Sequence, residues 1–204
     1  MTALLRLSRL IDSITELIGK FAMWLILAAV LISSGNAIMR KAFDIGSNAF
    51  LEIQWYLFSG VFMLASGYVF LRNAHVRIDF LSGKLSKRTN AIIDALGLVL
   101  FTIPLSVIMI NLGWPVFYNA FVSGEMSQNA GGLIRWPVIL LIPLGFGILI
   151  LQSLSELIKR IAFLTGDLAE PFTVEHEKSV EEQLAEELAI EAEARLSAKP
   201  AGNH

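Results

Sequence analysis

The chain has 204 residues, of which 16 are basic and 18 acidic, and 55% belong to the hydrophobic set, against about 45–50% for a broader apolar set in soluble domains. That excess excludes an ordinary water-soluble domain, and the charges are segregated: thirteen basic and eight acidic residues up to Thr165, three and ten after it. The absence of cysteine excludes disulfides, thiolate metal sites, iron–sulfur clusters and cysteine nucleophiles.

In residues 1–20, Leu4, Leu7, Ile11, Ile14 and Ile18 recur in steps of three and four, with Arg6, Arg9, Ser13, Glu16 and Lys20 on another face. This pattern predicts an amphipathic helix. The preferred reading places Leu4 to Leu17 in the membrane interface, arginines toward anionic headgroups; the alternative is a longer rod continuous with the first span.

Four runs free of charge follow: Phe21 to Met39, Ile53 to Leu71, Ala95 to Gly124 and Trp136 to Ser155, of 19, 19, 30 and 20 residues. A rise of about 1.5 Å per residue carries nineteen residues roughly 28 Å, close to the hydrocarbon thickness of about 30 Å. The expected fold is therefore an all-α integral membrane protein with four transmembrane helices, at about 21–39, 51–71, 91–115 and 136–158, inside a domain spanning 21–164. Gly35-Asn36-Ala37 has the small residues of a signal cleavage site, but its apolar run is longer than a signal core.

Ten basic residues (Arg6, Arg9, Lys20, Arg72, Arg77, Lys84, Lys87, Arg88, Lys159 and Arg160) fall on the side shared by the two termini and the second connection. Only Arg40, Lys41 and Arg135 flank the other connections. The positive-inside bias predicts that both termini are cytoplasmic.

In the third run Pro104 removes a backbone donor and is expected to bend the helix, while Trp114, Phe117, Tyr118 and Phe121 read as an interfacial belt. Trp136-Pro137 opens the fourth helix with proline in its first turn. From 165 to 204 the chain becomes an acidic tail, in which Val180, Leu184, Leu188, Ala192 and Leu196 recur every fourth residue among glutamates; this permits a solvated helix.

No chemistry of an enzyme is legible, and no catalytic, metal or cofactor site is expected. The histidines are His75, His176 and His204, none inside a span, so paired axial haem ligands are excluded. Glycine-rich phosphate loops, HExxH and GxSxG are missing. Glu52, Asp94 and Glu156 lie within a turn or so of span ends, where water or headgroups reach them.

Small residues mark helix packing: Ser59-Gly60 and Ser66-Gly67 are a heptad apart, and Ala29, Ser33 and Ala37 step by four. Internal packing is the preferred reading. In the polar turn after the second span, Arg72, His75, Arg77 and Asp79 alternate with Val76, Ile78 and Phe80, a pattern suited to a segment folded onto the membrane or a partner.

Three motifs in order carry a resemblance: Glu52-Ile-Gln-Trp55, then His75-Val-Arg77-Ile-Asp79, then Gly124-Glu-Met-Ser127 with Trp136-Pro137 and Pro143-Leu-Gly145-Phe. Over roughly Ala22 to Lys159 the chain resembles the small integral-membrane, DctQ-like subunit of the tripartite ATP-independent periplasmic (TRAP) transporters. The resemblance implies an inner-membrane scaffold without catalytic residues. Its partners would be a large membrane subunit that moves an organic acid with sodium ions, and a periplasmic substrate-binding protein; nucleic acid is not among them. Glu52, Trp55, His75, Arg77 and Asp79 become candidates for holding the large subunit. Arg40, Lys41, Glu125 and Arg135 become candidates for meeting the binding protein. The competing readings are an autonomous small transporter or channel and a membrane anchor for another complex.

Overall fold

The computed structural model describes residues 2–44, 46–72 and 85–169. The acidic tail beyond 169 and the candidates His75, Arg77 and Asp79 lie outside the described residues. Among the described residues four helices are long and apolar enough to cross a membrane: α1 (Thr2–Phe43), α2 (Asn48–Leu71), α3 (Lys87–Ser123) and α4 (Trp136–Thr165). No strand accompanies them among those residues; one isolated antiparallel bridge joins Met126 to Ile134.

α1, α3 and α4 run well past their expected spans, and α1 changes the reading of the N-terminus. Residues 1–20 do not form a separate interfacial segment: Thr2–Phe43 is one helix of 42 residues, about 63 Å long. The physical reason lies on its inner face. Ser8 Oγ is 2.7 Å from Ser155 Oγ, and Asp12 accepts from Ser155 Oγ at 2.7 Å and Gln152 Nε2 at 3.0 Å. These bonds tie the early turns of α1 to α4 and leave no break at which the helix could turn into the interface.

The buried seam of α1 is Ser8, Thr15, Gly19 and Ala22, polar and small. Leu7, Leu10, Ile14, Leu17, Phe21 and Trp24, alternating in steps of three and four, are all exposed. The arrangement is inside-out relative to a soluble amphipathic helix, because lipid accepts leucine as readily as a protein interior does.

α4 is the hub, packed against α1, α2 and α3. Glycines set the approach. A Cβ at Gly67 of α2 would stand 2.7 Å from Ile148 Cγ2 and 3.3 Å from Thr15 Cγ2, and one at Gly145 of α4 would stand 2.8 Å from the Met63 carbonyl oxygen. Gly60 meets Leu25 and Leu141. The heptad pair of α2 therefore packs internally, as expected.

α3 is continuous through Pro104. The turn Leu98–Thr102 is a π segment, and the Ile103 N–H donates to the Leu98 carbonyl five residues back. Proline has no N–H for the carbonyl four residues before it, and its ring crowds that carbonyl; widening one turn relieves both. Ser106 Oγ donates to the Thr102 carbonyl at 2.7 Å.

At the end of the bundle where α1 begins and α4 ends, the acidic residues are not left to headgroups. Glu156, Lys159 and Arg160 of α4 are 4%, 3% and 3% exposed. Lys159 Nζ bridges Asp12, at 3.1 Å, and Glu156; Arg160 reaches Glu156 at 2.5 Å and Asp94 of α3 at 3.3 Å. The expectation that Asp94 and Glu156 are solvated span-end residues is corrected: both belong to an ionic network joining α1, α3 and α4. Charges at this depth persist only when paired and hydrogen-bonded.

Candidate functional site

At the opposite end, the connection between α3 and α4 folds back onto the start of α2. Gly124, with φ +62°, closes α3 in the left-handed region. The chain then forms a narrow turn: Ser127 N–H donates to the Leu133 carbonyl at 2.9 Å, Arg135 N–H to the Glu125 carbonyl at 2.9 Å, and Gly132 N–H to the Asn129 carbonyl at 2.9 Å. Gly131 takes φ +71°, and a Cβ at Gly132 would collide with Ser127.

Asn48, Glu52 and Tyr56, spaced by four and so on one face of α2, grip this turn. Glu52 Oε1 accepts from Ser127 Oγ and from Asn129 Nδ2, the latter at 2.6 Å, and Oε2 accepts from the Leu133 N–H at 2.7 Å. Asn48 Nδ2 donates to the Ala130 carbonyl and Tyr56 Oη to the Ile134 carbonyl, each at 3.1 Å. A carboxylate accepting three hydrogen bonds is a strong local anchor, since bonds to a charged acceptor exceed neutral ones. Below the turn, Trp136 packs edge-on against Phe121 with centroids 5.5 Å apart and planes at 87°, which extends the aromatic belt to the first residue of α4.

The candidate residues among those described separate into four groups. Glu52 is spent on the chain's own loop. Glu125 and Arg135 form an ion pair at the foot of that loop, each side chain almost half exposed. Trp55, one position round from Tyr56, projects away with 74% of its surface exposed. Arg40 and Lys41 lie in the last turn of α1. Sequence reasoning missed Asn48, Tyr56, Ser127 and Asn129; the spacing by four of Asn48, Glu52 and Tyr56 was the available signal.

A groove runs along α1 and α2 beyond the contact of Leu25 with Gly60. It has a volume of about 600 Å³, with Ala29, Val30 and Ser33 on one wall and Gln54, Trp55 and Phe58 on the other. A polar cavity of about 420 Å³ adjoins it through Ser33 and Gln54 and is lined by Arg40, Lys41 and Asp44. Ala29, Ser33 and Ala37, the small-residue stripe of α1, thus line these cavities beside α2.

Comparison with known families matches residues 29–163 to one described as tripartite ATP-independent periplasmic transporters, DctQ component. Comparisons with curated proteins and with solved structures give no match.

Proposed function

The chain belongs to the DctQ component family of tripartite ATP-independent periplasmic transporters, and from that premise we propose that it is the scaffold subunit of a sodium-coupled importer of organic acids. It sits in a bacterial inner membrane with both termini cytoplasmic, holds the large permease subunit, and helps to dock the periplasmic substrate-binding protein.

The observation that carries this reading is where the polar groups are spent. Asp12, Asp94, Glu156, Lys159 and Arg160 pair with one another, and Glu52 is occupied by its own loop. Ionisable groups deep in a span commonly mark an ion or proton pathway; these are turned instead toward helix-to-helix and helix-to-loop contacts. The large apolar side chains face outward, as suits a wall against which another subunit moves.

Trp55 is assigned to the large subunit, Glu52 acts on that contact through the loop it holds, and the segment with His75, Arg77 and Asp79 serves the same partner. Arg40 and Lys41 at the end of α1, and Glu125 and Arg135 on the latched loop, flank the start of α2 and form the docking end for the binding protein. Reconstitution tests the role. Proteoliposomes with both membrane subunits should take up the organic acid when the binding protein and a sodium gradient are supplied, and omission of this chain should abolish uptake without affecting substrate capture by the binding protein. Full-rate transport by the large subunit alone would overturn the reading, as would transport by this chain alone.

A further inference from the structure

We infer that the polar cavity at the C-terminal end of α1 binds the phosphodiester of an anionic phospholipid, with Arg40 and Lys41 on the phosphate oxygens. The inference goes beyond the scaffold reading and stands on the cavity itself.

The sequence sets the depth of the site. Arg40 and Lys41 are the first charges after the 19-residue run Phe21 to Met39, so the cavity they line lies where hydrocarbon gives way to the phosphate layer. Both are exposed in the last turn of α1, and a headgroup reaches them there from the bilayer surface without crossing protein. Among the described residues no ion pair joins either cation to a carboxylate, whereas Lys20, Arg72, Arg135, Lys159 and Arg160 each have one. The cavity adds Ser33, Asn36 and Gln54 as donors and Asp44 as its single carboxylate. Two positive charges against one negative leave a surplus of one. A phosphodiester with an uncharged headgroup, as in phosphatidylglycerol, balances it.

Shape separates a phospholipid from a free anion. The cavity shares Asn36 with an apolar pocket of about 260 Å³ lined by Ile32, Met39 and Phe50. It shares Ser33 and Gln54 with the apolar groove. A polar recess with apolar space on two sides has a place for a headgroup and for two acyl chains; inorganic phosphate would use the first alone. The arginine fork bonds two phosphate oxygens at once, and basic pockets between transmembrane helices are recurrent headgroup sites.

Native mass spectrometry of the full chain in detergent, with phosphatidylglycerol or phosphatidylcholine added, tests this. One retained phosphatidylglycerol per chain is expected, preferred over phosphatidylcholine by about tenfold or more, together with a rise in melting temperature. Arg40→Gln with Lys41→Gln should lose at least about tenfold in retention and lose the rise, while its melting temperature without lipid stays unchanged. Arg6→Gln, at the far end of α1, should keep both. Equal retention of the two lipids would overturn the inference, as would displacement of the lipid by millimolar inorganic phosphate, the mark of a free-anion site. A double variant that kept its lipid and lost only attachment of the binding protein would assign the two cations to that partner and overturn it too. The scaffold reading survives each of these outcomes, because it is decided by uptake in the reconstituted system.

Discussion

Glu52 and Leu133 lie 81 positions apart in the chain and are joined by a 2.7 Å hydrogen bond from the Leu133 backbone N–H to the Glu52 carboxylate. With Ser127 and Asn129 on the other carboxylate oxygen, one side chain at the start of α2 fixes the shape of the α3–α4 connection.

Glu52→Gln replaces a carboxylate that satisfies three donors with an amide that has one acceptor oxygen. The latch should loosen without unfolding the helices. Hydrogen exchange at the Leu133 amide should accelerate by about tenfold or more, as expected when a charge-assisted bond that protects it is lost. Glu125→Gln, which breaks the partly exposed ion pair with Arg135, should change the same amide little. Equal exchange in the two variants would contradict the latch.

The ionic network answers to a double-mutant cycle. Asp12→Leu or Lys159→Met alone leaves buried charge short of a partner and should cost about 3–5 kcal/mol of stability. The double variant removes both charges of that pair, so it should be less destabilised than the sum of the two single changes. Thermal unfolding in detergent, followed by tryptophan fluorescence, gives the three values; strict additivity would mean that the 3.1 Å contact contributes no coupling.

Two glycines of α4 make a controlled pair. Gly145→Ala drives a methyl group toward the Met63 carbonyl, whereas at Gly147 a Cβ meets nothing within 4 Å. The first should destabilise by about 1–3 kcal/mol, the usual range for overpacking. The second should be neutral or stabilising by roughly 0.5–1 kcal/mol, since alanine loses less backbone freedom in a helix. The same unfolding experiment distinguishes them.

The spans could be read from the sequence because a bilayer leaves charges only the ends of each helix, so runs such as Ile53 to Leu71 announce themselves. The family was legible as well, from motifs that depend on order along the chain rather than on contacts. What stayed hidden was partnership across the chain. Glu52 was recognised as unusual, but nothing local shows that its donors arrive from Ser127, Asn129 and Leu133. Glu156 sits at the end of a charge-free run and looks solvated; only its pairing with Lys159 and Arg160 shows otherwise. The inner face of α1 was not legible either: in water a leucine stripe marks the core, but in lipid that rule lapses, and Ser8, Thr15 and Gly19 mark it instead.

The wide turn at Leu98–Thr102 carries a consequence for chain-length variation. A π turn amounts to one extra residue spliced into an ordinary helix, so excising a single residue there would restore the regular pitch and leave the surfaces before and after it aimed as they are now. The same excision a few turns away would swing everything downstream by about 100°. Ahead of Pro104, then, the sequence has a place where its length can change by one without re-aiming the rest of the helix.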